Sequence, residues 1–145
     1  MHGRPLVLPN PHAARDQGIA TVFQDLALID HLDTGANMFL GREILRPAPL
    51  SWLGVLDKRA MRARAVTEVR RLRVGIRSVD QVVMGMSGGQ GQAIAVARAV
   101  AFGTRLLLMD EPTAALDVRE SAAVLDLIRD VHALRLPGDP AGARE

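Results

Sequence analysis

The chain has no cysteine and no tyrosine, one tryptophan (Trp52), three phenylalanines and a single lysine, Lys58. Without cysteine there is no disulfide, no thiolate metal site and no cysteine nucleophile, which fits a reducing compartment. The scarcity of aromatics excludes the interleaved basic and aromatic surface on which single-stranded nucleic acids stack. Because so few groups titrate between histidine and arginine, a formal charge of only +2 yields a pI of 10.3. The basic pI is thus a product of composition, and no nucleic-acid partner is expected. No apolar run approaches the roughly 18 residues that cross a bilayer. Met1-His2-Gly3-Arg4-Pro5 carries no apolar signal core. A soluble, cytoplasmic protein is expected. At 145 residues, 48% hydrophobic and 23% charged, it has the composition of one globular domain at most.

Apolar strands alternate with helices along the chain. Residues 1–17, with Pro5, Pro9 and Pro11, read as a loop or an edge strand. Gly18 to Phe23 reads as a short buried strand ended by Gln24-Asp25. Residues 33–41 suggest a short helix with Asp33 or Thr34 as N-cap and Gly41 as stop. Residues 57–73 give the clearest helix: Met61, Ala65, Val66, Val69 and Leu72 recur at three- and four-residue spacing. Its arginines (59, 62, 64, 70, 71 and 73) form the solvated face. Residues 87–102 predict a helix apolar nearly all round, hence buried. Leu106 to Met109 is a continuous apolar strand, and 118–134 a third amphipathic helix. Residues 137–145 read as a disordered tail. The order implies a parallel α/β sheet with a helical insert over about 25–86.

Three features carry chemistry. The strand Leu106–Met109 delivers Asp110 and Glu111 to its carboxyl edge, where open α/β sheets bind ligands. Asp110 is suited to Mg²⁺ and Glu111 to polarising an attacking water, although a strand can equally end in a solvated acidic turn. In Met86-Ser87-Gly88-Gly89-Gln90, Ser87 is placed to cap the following helix, and the two glycines leave amides bare at a helix N-terminus, an anion site. Alone, such a run is also a plain glycine-containing helix start. Ser87 and Asp110 lie 23 positions apart, with Ala114-Ala115-Leu116-Asp117 directly downstream and Gln24 at the other strand end. That ordered set is unlikely to arise by chance.

On these motifs the chain resembles the nucleotide-binding domain of ABC transporters over about residues 3–131. Gln24 resembles the Q-loop glutamine, which in that family contacts Mg²⁺ and water and senses the membrane domain. Ser87-Gly88-Gly89-Gln90 resembles the LSGGQ signature, with Met86 in place of leucine. Leu106 to Asp110 resembles Walker B, Glu111 the catalytic glutamate, and Ala114 to Asp117 the D-loop. The stretches at 24–28, 37–43 and 93–102 resemble the carbohydrate-importing branch. The resemblance implies an α/β fold, a partial P-loop NTPase-like ABC domain over 1–136 with a helical subdomain at about 25–86. It implies ATP and Mg²⁺ as cofactors, with Asp110 and Gln24 at the metal and Ser87 to Gln90 facing a partner's nucleotide. The partners it implies are membrane permease subunits, a second nucleotide-binding domain in a head-to-tail dimer and, indirectly, a solute-binding protein. The location would be peripheral, on the inner face of the cell membrane.

The sequence departs from that family in three places. It holds no Gly-x-x-x-x-Gly-Lys-[Ser/Thr] loop, and Lys58 follows Leu56-Asp57 at a helix start. The loop and its strand are expected to precede Met1, which would leave Leu106–Met109 without neighbours. The switch histidine is not found either: His132 falls within a helix, and His2, His12 and His31 have no ligand spacing. Gly91 stands where the family usually has Arg or Lys. The expectation is therefore an ATP-binding subunit fragment, truncated at both ends and inactive alone. The alternatives are a non-catalytic module completing a partner's site and a non-functional gene fragment. A DNA-repair ATPase fits poorly, because only 62 residues separate Gln24 from Ser87, too few for a long coiled coil.

Overall fold

A computed structural model describes residues 7–102, 104–114 and 116–133. His2, Gly3, Ala115 and the expected tail at 137–145 lie outside the described residues. The elements in chain order are α1 (Pro11–Asp16), β1 (Ile19–Val22), α2 (Thr34–Met38), α3 (Lys58–Arg71), α4 (Gly88–Val100), β2 (Leu106–Met109) and α5 (Val118–Ala133). Short 3₁₀ turns occupy Leu50–Leu53 and Val83–Gly85.

β1 and β2 pair in parallel, with Ile19 opposite Leu106 and Val22 opposite Met109. The pair is extended at both ends: Leu106 N donates to Gly18 O, and Asp110 N to Val22 O at 3.0 Å. The expectation that Leu106–Met109 has no neighbouring strand is therefore corrected. So is the expectation that both strands are buried. Leu106 and Leu108 are 45% and 48% exposed, and Phe23 is 62% exposed. Packing of α4 covers β1, and Leu107 and Met109 of β2 touch the core. The alternate residues of β2 face open solvent, as a period-two strand must when one face is covered.

One further element departs from expectation. Residues 11–16 form a helix, where a loop or edge strand is the simpler sequence reading. Asn10 Oδ1 accepts from Ala13 N at 2.9 Å, and Pro11 stands at the first helical position. Proline costs nothing there, because that amide has no intrahelical partner anyway.

The core is built around α4. Ile94, Ala95, Val96, Ala97 and Val100 are at most 2% exposed. Full burial of each Ile or Val contributes about 1.5–3 kcal/mol. α5 lays Val124, Leu127 and Val131 along one side of it. The helical insert packs on another side, with α3 burying Met61, Ala65 and Val69 and leaving its arginines exposed. Phe102, just past α4, meets Phe39 edge-on at 5.5 Å, and the guanidinium groups of Arg42 and Arg64 stand 4.6 and 5.2 Å from its ring centroid. Arg62 and Asp80 form a bidentate surface pair that ties α3 to the chain after it, and hydrogen bonding from Arg62 holds the Asp80 carboxyl below its usual range.

Asn37, fully buried in α2, holds the insert's entry loop. Its Oδ1 accepts from Ile29 N at 2.7 Å, and its Nδ2 reaches the carbonyls of Ile29, Leu32 and Asp33 at 3.0–3.3 Å. Asp33 caps α2 through Ala36 N, and Gly41 follows in a left-handed turn (φ +74°).

With an apolar sheet face open to solvent, the isolated chain is expected to be marginally stable. A sharp, cooperative melt well above room temperature would contradict this. On that margin Asn37→Ala, costing about 1–3 kcal/mol because Ile29 N loses its acceptor and the buried side-chain bonds are lost, should remove much of the helical circular dichroism at 25 °C. Retention of the wild-type signal and melt would sink the assignment of Asn37 as the loop's anchor.

Candidate active site

Two edges of the fold carry the sequence-predicted residues. The first is the carboxyl edge of the sheet. β1 ends at Val22 and β2 at Met109, in register. Asp110 therefore emerges beside Phe23, and its exposed side chain is free of ion pairs among the described residues. Glu111 follows in the left-handed region at φ +43°, exposed. A non-glycine residue there costs roughly 1–2 kcal/mol, strain of the kind that persists where a site over-determines the backbone. Gln24 leaves the end of β1 on the same edge, also exposed.

The second edge is the start of α4. Ser87 and Gln90 form a reciprocal capping box: Ser87 Oγ accepts from Gln90 N, and Ser87 N donates to Gln90 Oε1. Gln90 Nε2 also donates to Gly75 O at 2.9 Å. The Gln90 side chain thus anchors the helix start to the end of the helical insert. Ser87 and Gly88 share one open cleft of about 340 Å³ with Gln24, Asp25 and Leu26. Gly89 and Gln90, together with Ser87, line a second cavity of about 230 Å³ beside Glu120 and Arg73. The fold therefore brings Gln24 and the Ser87–Gly88 turn together and sends Gly89 and Gln90 to the other side of the helix start.

The third group is the expected D-loop, Ala114 to Asp117. Thr113 and Ala114 lie in a turn, and Leu116 N donates to Thr113 O. Asp117 Oδ1 accepts from Glu120 N at 2.8 Å, so Asp117 caps α5. This approach presses the start of α5 against the two glycines. A Cβ on Gly88 would stand 3.0 Å from Leu116 Cδ2, and one on Gly89 only 2.9 Å from Glu120 Cβ. Sequence reasoning credits these glycines with bare amides for an anion. The structure adds a packing requirement, and it places the Glu120 side chain over the helix start. Glu120 has no signal in the sequence beyond its place in the first turn of a helix.

Among the described residues, no group of three His, Cys, Asp or Glu side chains is arranged to hold a metal by itself, and no helix is long and apolar enough to cross a membrane. His12 is bonded to Arg15 and His31 is exposed. His132 lies exposed in the last turn of α5.

Gly89→Ala is expected to destabilise the nucleotide-free chain by about 1 kcal/mol, the overpacking penalty of about 1–3 kcal/mol exceeding the helix-propensity gain of at most about 1. Gly75, where an added methyl group would meet nothing within 4 Å, is the control. Equal denaturation midpoints for Gly89→Ala and Gly75→Ala would contradict the packing role.

The family model described as ABC transporter matches residues 2–114. The chain is 47% identical to the fructose import ATP-binding protein FrcA of Rhizobium meliloti, over 94% of this chain and 54% of that protein. It is 41% identical to the xylose/arabinose import ATP-binding protein XylG of Sulfolobus acidocaldarius, over 89% and 49%. The chain thus spans about half the length of these two relatives. In fold it is similar to a nucleotide-free ATP-binding cassette from an ABC transporter (TM-score 0.66, 19% identity, 85% of this chain and 50% of that one). It is also similar to a dimeric ATP-binding cassette bound to ADP and Pi (TM-score 0.59, 24% identity, 86% and 52%). Because that family model matches most of the chain, residues 2–114, the chain belongs to the ABC transporter family.

Proposed function

We propose that the chain is part of an ATP-binding subunit that couples ATP hydrolysis to carbohydrate import. The observation that carries this reading is the cleft shared by Gln24 with Ser87 and Gly88, next to the sheet edge bearing Asp110 and Glu111. The sugar class is supported by relatives whose names specify fructose, xylose/arabinose and ribose import.

In this reading Asp110 is the Mg²⁺ ligand, with Gln24 as a second oxygen donor. The fit is chemical: both are exposed oxygen ligands at the strand ends, and Mg²⁺ takes one or two carboxylate or amide oxygens beside phosphates and water. Bound there, the ion would neutralise phosphate charge. Glu111 orients and polarises the attacking water. Gln24 reports the nucleotide state toward the membrane partner. The α4 N-terminus, with the Ser87 hydroxyl and the amides of Gly88 and Gly89, offers partial positive charge to the γ-phosphate held by a partner domain. Asp117 serves as a D-loop residue through the helix it caps. The partners are membrane permease subunits, a second nucleotide-binding domain placed head to tail and, through the permease, a solute-binding protein. The place of action is the inner face of the cell membrane.

The sequence supplies no phosphate-binding loop and no lysine at such a loop. Hydrolysis by this chain alone is therefore not expected. A role in trans is supported by the capping box, which holds Ser87 at the start of α4 through bonds within the chain itself.

Purified chain should hydrolyse ATP at background rate, and Glu111→Gln should leave that rate unchanged. Activity that Glu111→Gln removes would overturn the inactive-alone reading. Added in excess to a complete fructose-import ATPase, the chain should alter its turnover, and Ser87→Arg should remove that effect. No effect of the wild-type chain would sink the role in trans.

A further inference from the structure

Immediately after Gln24 the backbone makes an unusual approach to α4. Arg98, half-buried on that helix, donates from Nη2 to Leu26 O at 2.8 Å and from Nη1 to Ala27 O at 2.9 Å. Two consecutive carbonyls in extended chain point to opposite sides. Here they meet one guanidinium because Ala27, between the two peptide planes, sits in the left-handed region at φ +47°. An alanine is strained there, and the strain persists only where surrounding contacts enforce it. The contacts are the planar fork of Arg98, whose geometry suits paired oxygen acceptors, the Asp25 carboxylate, which accepts from Ala27 N at 3.2 Å, and the side chains of Leu26 and Leu28. Both leucines seat against Gly91 of α4: a Cβ there would stand 3.3 Å from Leu26 Cδ1 and 3.9 Å from Leu28 Cδ1. Among the described residues no carboxylate pairs with Arg98. Burial lowers its pKa, and the acceptors that the structure gives its guanidinium are these two carbonyl oxygens.

We propose that Arg98 is the positioning residue for Gln24, clasping the Leu26–Ala27 backbone onto α4 so that Gln24 is held over the cleft it shares with Ser87 and Gly88. On one side, β1 fixes the chain through the Val22–Asp110 bond. On the other, Arg98 fixes Leu26 and Ala27, and Asn37 fixes Ile29. Gln24 lies in the short link between the first two anchors. Its height over the cleft is set by the helix that carries Ser87, and the two candidate groups move as one body. The role of Gln24 in this proposal rests on the ATP-site reading above, whereas the clasp itself consists of contacts within the chain.

The test is hydrogen–deuterium exchange of the full chain without nucleotide, so that failure of the clasp is read apart from failure of the ATP assays. Arg98→Met should speed exchange at the Ala27 and Ile29 amides, the two in residues 24–29 with hydrogen-bond acceptors, roughly tenfold, while amides at 94–100 keep wild-type protection. Arg98→Lys, a single point donor that reaches one carbonyl, should give an intermediate value. Unchanged exchange at 24–29 would overturn the proposal, and so would equal loosening of α4, which marks a merely structural arginine. Should Arg98→Met unfold the chain, Gly91→Leu carries the test. It wedges the same leucines off α4 with Arg98 intact, and wild-type exchange at 24–29 in that variant overturns the proposal.

Discussion

Everything in this structure hangs from the burial of α4. A helix can be enclosed on several sides only if its neighbours approach closely, and α4 permits that with glycine and alanine at Gly88, Gly89, Gly91, Ala95 and Ala97. The close approach removes water from Ile94, Val96 and Val100 together. β1, the helical insert and α5 each dock on a different part of its surface. The helix is consequently the common reference for groups that lie far apart in sequence.

The candidate site follows from that geometry. At its N-terminus α4 carries Ser87 in a capping box. About three turns later it directs Arg98 toward the segment that follows Gln24. Against its first turn stands α5, started by Asp117 and pressed close by Leu116 and Glu120. The sheet edge with Asp110 and Glu111 is tied to the same helix through β1. Carboxylates, the amide side chain and the glycine-bearing turn are thus all tied to one helix, the kind of shared support that a preorganised electrostatic site requires. The glycines of the turn serve two ends at once. They expose amides, and they let α5 approach to a distance that a methyl group would not allow.

Much of this is legible in the sequence because its signals are local. Periodic apolar residues mark α3 and α5, an all-apolar stretch marks α4, and the unbroken run Leu106–Met109 marks β2. Ser87 before two glycines marks a cap. Other features are misread for a local reason too: three prolines suggest irregular chain before residue 18, yet the Asn10-Pro11 pair starts a helix. The burial of the strands is overestimated because an apolar run tells what a strand prefers to face, and not how many neighbours cover it. Leu106 and Leu108 remain half exposed.

The sequence by itself determined the order of elements, the caps and the chemical types at each strand end and helix start, since these depend on residues a few positions apart. It determined the absence of a phosphate-binding lysine loop in the same way. Only the tertiary structure decided which of those groups meet. That Gln24 shares a cleft with Ser87, that Glu120 lies against Gly89, and that Arg98 holds carbonyls 71 and 72 positions away all depend on long-range packing around α4. An arginine in an alanine-rich helix carries no mark of the carbonyls it will bind. Its partners are fixed by the burial of its neighbours and by one strained alanine, and neither is encoded at the position of the arginine itself.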